Sequence, residues 1–275
     1  MSRNEPDHLS ELCAGDGQRL DLLEAALAMS ALQHDEPVDL VPFRQHVAAV
    51  TNELADLVRR RGAAPERLAE VIARTYGYRG DGETYDDLQN ADLVRVIERR
   101  KGLPVALSIL YLHVARAQGW DAEGLGFPGH FLIRVAIDGA RHVVDPFHDG
   151  LVRDADQLRE LVRQVLGADA ELRPGHFDAV PDRDVLLRLE NNVRVRLARV
   201  EDWAGAARSL DRMLAIAPDR PELLFEAGQI NARLDKRRAA IAAFERFLGV
   251  EAGHGDPALR QQASALLQEL RRGLN

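Results

Sequence analysis

The sequence predicts an α+β domain with N-terminal helices and a small antiparallel sheet, followed by an all-α region. Three observations carry that reading. Phe131, Ile133, Val135 and Ile137 alternate with Leu132, Arg134 and Ala136 up to Asp138-Gly139, the period of a strand running into a two-residue hairpin turn. Before it, Pro104 to Gln118 is apolar on nearly every side, which places that helix inside a core. After Pro181 the pattern is helical throughout, and Ala206, Leu210 and Met213 recur 34 residues on as Ala240, Phe244 and Phe247.

The elements follow in order. The first dozen residues are polar and read as loose. Leu20, Leu22, Leu23, Ala26, Leu27 and Ala31 recur at helical spacing, Val41 to Arg61 forms a second helix and Pro65 to Tyr76 a third. Gly77, Gly80 and Gly82 break the pattern within an acidic loop that ends near Asn90 and reads as solvated. A helix from about Ala91 to Arg100 precedes the buried one, for which Pro104 opens the first turn and Gly119 supplies the left-handed stop. The hairpin's second strand is Ala140 to Val144, another helix runs from Asp154 to about Gly167, and Pro174-Gly175 and Pro181 mark a linker. This gives three parts: 1–34, a terminal segment and first helix; 35–180, the α+β domain; and 181–275, the helical region.

The chain has 275 residues and one cysteine, Cys13, which excludes an internal disulfide and a multi-cysteine metal centre. Cys13 sits in the polar segment with no basic neighbour or helix start to activate it, so its replacement is expected to leave stability unchanged. Residues 1–180 carry 20 basic and 30 acidic side chains and residues 181–275 carry 16 and 14, so neither half has the basic stripe of a nucleic-acid binder. No stretch is long and apolar enough for a membrane helix, and Met1 to Gln18 lacks a secretory pattern; a cytoplasmic location is expected. His142, His148 and His176 show no metal spacing, and the Asp81 to Asp92 loop lacks the glycine and glutamate of a calcium loop. Neither a metal nor another cofactor is expected.

The hairpin fixes a register. With Asp138-Gly139 as the turn, Leu132 faces Asp145, and His130 lies diagonally from Asp145 on the same face, which also carries Arg134 and Arg141. The apolar face is expected to pack on the core and the His/Asp face to look into a cleft. A histidine beside an aspartate is either a structural hydrogen-bonded pair or half of a nucleophilic triad. Coulomb attraction would raise the His130 pKa if it outweighs burial.

The order of buried helix, short strand, His and Asp-Pro resembles transglutaminase-like, papain-related enzymes. Arg100-Lys-Gly-Leu-Pro-Val-Ala-Leu-Ser108, Gly126-Phe-Pro-Gly-His-Phe-Leu-Ile-Arg134 and Asp145-Pro-Phe147 are similar to the bacterial SirB-type branch, in which tetratricopeptide repeats follow the transglutaminase-like core. The resemblance covers the chain from about residue 35 onward. It implies that His130 and Asp145 hold the family's histidine and aspartate positions, while Pro104 stands at the cysteine position and supplies no nucleophile. Ser108, one turn further along the helix, is either a substitute nucleophile or a small packing residue. In the helical region Gly228 falls at the small position of a tetratricopeptide unit, Arg194 departs from it in the preceding unit, and Leu259 to Leu270 forms a cap. The resemblance implies a protein-binding adaptor or regulator whose partner is a protein held by the repeats. The alternative is a hydrolase or acyltransferase using Ser108, His130 and Asp145, or a water activated by histidine.

Overall fold

The computed structural model describes residues 6–14, 19–250 and 257–272. The chain divides into two compact units, Met1–Leu189 and Glu190–Asn275.

The first unit is built around the apolar helix read from the sequence. Helices α1 (Pro6–Leu12), α2 (Leu22–Ala31) and α3 (Val41–Arg61) lead to α4 (Glu66–Leu68), which runs on as a π-helix, Ala69–Thr75. Then come β1 (Arg79–Gly80), a 3₁₀ turn at Leu88–Ala91, α5 (Leu93–Arg99), β2 (Lys101–Gly102) and α6 (Pro104–Ala117). Helix α6 starts at proline, ends before Gly119 (φ +76°) and buries ten of its residues from Val105 to Ala115. It packs on α2 and α3 on one side and on the sheet on the other.

That sheet comprises β3 (Asp121–Leu125), β4 (Leu132–Ile137), β5 (Ala140–Asp145), β6 (Leu151–Arg153) and β7 (Ala179–Val180), in the order β6-β5-β4-β3-β7. All its pairings are antiparallel. The hairpin pairs Ile133 with Val144 and Ile137 with Ala140, as the turn residues require. Asp138 (φ +50°) and Gly139 (φ +82°) both take the left-handed conformation of a type I′ turn. Helix α7 (Ala155–Leu166) is opened by a capping box between Asp154 and Gln157. Its Leu158, Leu161 and Val162 close over Leu125, Phe127 and Leu132. Thus much of the Leu132 face of the sheet is a second apolar layer and not the open cleft expected of it. Arg134 on that face is tied to Glu123 and to the Phe177 carbonyl (3.0 Å), while Arg141 is exposed.

Four other expectations need correction. The segment around Cys13 is not loose: α1 buries Leu9, and Cys13 is itself buried, its carbonyl accepting from Arg183 (2.7 Å). Residues 69–75 are π-helical, with the Tyr76 N–H bonding back five residues to the Val71 carbonyl at 3.0 Å. The acidic loop is not simply solvated, because Asp81, Asn90 and Asp92 are all buried. Asp92 caps α5, accepts from the Ser30 hydroxyl and meets His34 Nε2 at 2.7 Å. Finally, the stretch taken as linker contributes β7, a two-residue strand at the edge beside β3.

Helix α8 (Asp182–Arg199) begins in the first unit. There Asp182 takes a bidentate pair from Arg116 (2.8 and 2.8 Å) and accepts from the Leu20 N–H (2.9 Å), joining three distant stretches of chain. The second unit continues with α9 (Trp203–Ile216), α10 (Pro221–Arg233), α11 (Arg237–Gly249) and α12 (Pro257–Arg272). Phe225, Phe244, Phe247 and Leu267 form its core, and Gly228 lies where a Cβ would come within 2.5 Å of the Phe244 ring. Arg194, at the corresponding position of the preceding pair, turns its guanidinium to Glu226 and Asn191. Below it Glu190, fully buried, accepts from the Ser209 hydroxyl (2.7 Å) and from Arg212 (2.7 and 3.0 Å). No helix among the described residues is long and apolar enough to cross a membrane.

Candidate functional site

Asp145 ends β5, and Pro146 turns the chain at once into a 3₁₀ turn, Pro146–His148. The carboxylate is 1% exposed. It caps that turn through the His148 N–H (3.2 Å) and meets His148 Nδ1 at 2.8 Å. It also takes two bonds from Arg153 of β6, at 2.7 and 3.1 Å. The histidine held by Asp145 is therefore His148, three residues on, and not His130. Local geometry decides this, because the turn folds His148 back over its own cap, whereas His130 must arrive from the segment before β4.

His130 stands nearby, half-buried, with its ring centroid 6.5 Å from that of His148. Burial lowers its pKa, and the neighbouring His148 and Arg153 lower it further against the pull of Asp145. Burial therefore outweighs the attraction of Asp145, and the condition for a raised pKa is not met. The Phe147 ring lies between His148 and Tyr85, giving the site an aromatic border with centroid separations of 5.4 and 5.9 Å. Phe131 carries Arg188 over its ring at 5.1 Å.

Pro104 occupies the first turn of α6. Ser108 is fully buried, and its hydroxyl donates to the Pro104 carbonyl at 2.7 Å, within its own helix. The structure thus gathers Asp145, His148, Arg153 and His130 but leaves Ser108 inside the core. Metal spacing does not single out His148 in the sequence; its place three residues after the aspartate of an Asp-Pro cap does.

A second group borders the site. Tyr78, fully buried, accepts from Arg100 (2.7 Å) and lies under that guanidinium, 4.9 Å from the ring centre. Burial pushes its phenol up to about 12, with Arg100 opposing, so it stays neutral. Asp81 is bound by the Thr84 N–H (3.0 Å) and hydroxyl (2.7 Å) and by Arg99 (2.9 Å). Burial works against its ionisation, but these donors outweigh it and hold the carboxyl down to about 2. Among the described residues no group of three or more His, Cys, Asp or Glu could hold a metal ion.

A transglutaminase-like core without a cysteine on its central helix, followed by paired helices at tetratricopeptide spacing, is the class that fold and site define. The comparisons agree: residues 42–191 match the transglutaminase-like superfamily and residues 193–268 the tetratricopeptide repeat. The chain belongs to the SirB-type UPF0162 family of transglutaminase-like proteins. It is 31% identical over 245 residues to a UPF0162 protein of Xylella fastidiosa, covering 87% of each chain. It is 30% identical over 262 residues to one of Vibrio cholerae, covering 93% of this chain and 96% of that protein. It also matches mouse F-box only protein 21 at 29% identity over 159 residues, 54% of this chain and 24% of that one.

Proposed function

We propose that this protein is a non-catalytic transglutaminase-like adaptor or regulator that binds another protein through its repeats. The observation that carries the reading is the state of the nucleophile position: Pro104 stands there, and the next hydroxyl along the helix, that of Ser108, is buried and committed to the Pro104 carbonyl. Acyl transfer by the family's chemistry needs a thiolate or alkoxide that a histidine can reach. The repeats supply an alternative use for the chain, because stacked helix pairs present an extended surface. The test is to capture partners with the full chain from its native cell and rebuild the complex from purified components. Binding reduced by Gln229→Arg, on an exposed position of α10, and unaffected by His130→Ala is the expected result. Amide or ester hydrolysis that disappears in His130→Ala would overturn it.

One observation favours a second reading, a hydrolase in which a histidine activates water: Asp145 orients a half-exposed His148 through Nδ1. That reading requires an activity that survives Ser108→Ala and is lost in His148→Ala.

A further inference from the structure

Beside His148 opens a cleft of ≈ 720 Å³ within the first unit, between the π-helix and the chain from His148 to Val152. One wall carries Ala69, Ala73 and Arg74 of the π-helix, and the other Leu151 and Val152 of β6. The floor is built closely. Gly150 (φ +71°) lies where a Cβ would come within 2.7 Å of the Tyr111 hydroxyl and 3.0 Å of the Ala69 methyl, so only glycine fits. The Tyr111 hydroxyl beneath it is completely buried and without a hydrogen-bond partner.

Arg44, Arg61, Arg67, Arg99, Arg116 and Arg153 each engage a carboxylate. By contrast Arg74, Arg79, Glu66 and Asp149 all line the cleft, and none has a side-chain hydrogen-bond or ion-pair partner among the described residues. Two unpaired guanidiniums and two unpaired carboxylates surround an apolar strip made of Ala69, Ala73 and Leu151, and Leu151 is 43% exposed. A guanidinium left unpaired keeps five donors in a plane suited to a carboxylate, and an unpaired carboxylate keeps its acceptors for an ammonium.

We propose that this cleft binds a zwitterion of the amino-acid or short-peptide class, with the ligand carboxylate at Arg74 and Arg79 and its ammonium at Glu66 and Asp149. An apolar side chain lies against Ala73 and Leu151. The half-exposed His148 belongs to the same lining. The inference is independent of the adaptor reading, because the cleft lies wholly within residues 66–152 and involves no repeat helix.

The probes are L-leucine and L-leucyl-L-leucine, titrated into the full chain by calorimetry or amide NMR. Saturable binding of the free amino acid assigns the site to that source, and saturable binding of the dipeptide alone assigns it to a peptide; either supports the proposal. N-acetyl-L-leucyl-L-leucine and the dipeptide amide, each lacking one charge, are expected to bind about tenfold or more weakly. Arg79→Ala and Arg74→Ala should each weaken binding by a similar factor. Both side chains are exposed, so unchanged circular dichroism is expected, and Arg79→Gln serves in its place if Arg79→Ala fails to fold. No saturable binding of either probe at millimolar concentration would overturn the proposal. So would affinity equal in Arg79→Gln and the parent, or binding of inorganic phosphate with neither zwitterion bound.

Discussion

Asp145 and His148 are joined twice, side chain to ring at 2.8 Å and side chain to backbone N–H at 3.2 Å, so one buried carboxylate both caps a turn and orients an imidazole. Arg153 balances its charge from the neighbouring strand.

Asp145→Asn is therefore expected to destabilise the protein by on the order of 3 kcal/mol, because it leaves the Arg153 guanidinium, 13% exposed, without its counter-charge. His148→Ala, at the half-exposed end of the same cluster, should cost under about 1 kcal/mol. Urea unfolding of the two variants side by side measures the difference; equal losses would show that Arg153 finds another partner.

Gly228→Ala should cost about 1–3 kcal/mol, since the added methyl must displace the Phe244 ring from a packed core. Gly249 closes α11 with open space around it, and Gly249→Ala should be neutral or mildly stabilising. Thermal unfolding of the pair separates packing from backbone effects. A Gly228→Ala protein as stable as its parent would contradict the close approach of α10 and α11.

Acid sensitivity should trace to Asp81. Its folded pKa of about 2 lies below the ordinary 3.8, so its stabilising effect is complete above about pH 4 and is lost as pH falls towards 2. In Asp81→Asn that part of the acid limb should flatten. The check is stability against pH between 2 and 5 for both proteins; parallel curves would mean that other carboxylates control the limb.

Cys13 should resist thiol reagents in the folded protein. Burial raises its pKa, with Arg183 opposing, and only 2% of the residue is exposed. Labelling with a disulfide reagent is expected to proceed at the rate of local opening. Cys13→Ser should cost about 1–2 kcal/mol by placing a hydroxyl at a buried position. Instant labelling under native conditions would contradict the burial.

The contrast between what the sequence disclosed and what it withheld follows the range of the forces involved. The hairpin register was legible because Asp138-Gly139 sets it within two residues, and the limits of α3 because Pro42 and Gly62 mark them locally. Gly228 was legible through a repeat that places Phe244 one helix away. The burial of Asp81 was not, because an acidic loop does not reveal that Arg99, 18 residues on, will reach it. Strand geometry and the family resemblance both set His130 beside Asp145, yet a turn three residues long and an arginine from β6 hold the carboxylate. Helix α7 covered the Leu132 face because half of the sheet's second apolar layer comes from beyond the hairpin.

The π-helix at Ala69–Thr75 also has a meaning as a count of residues. Such a segment holds one more residue than an α-helical path of equal reach would need, so its stretch of chain is longer than its span requires. Deleting a single residue between Ala69 and Ala73 would let the ladder close as ordinary α-helix with its apolar spacing largely kept. The turns on either side would stay in phase, because the wide turn has already absorbed the extra residue. Ala69, upstream of the change, would still meet Gly150. In this stretch the helix itself, like a surface loop elsewhere, holds the slack for a length change of one residue.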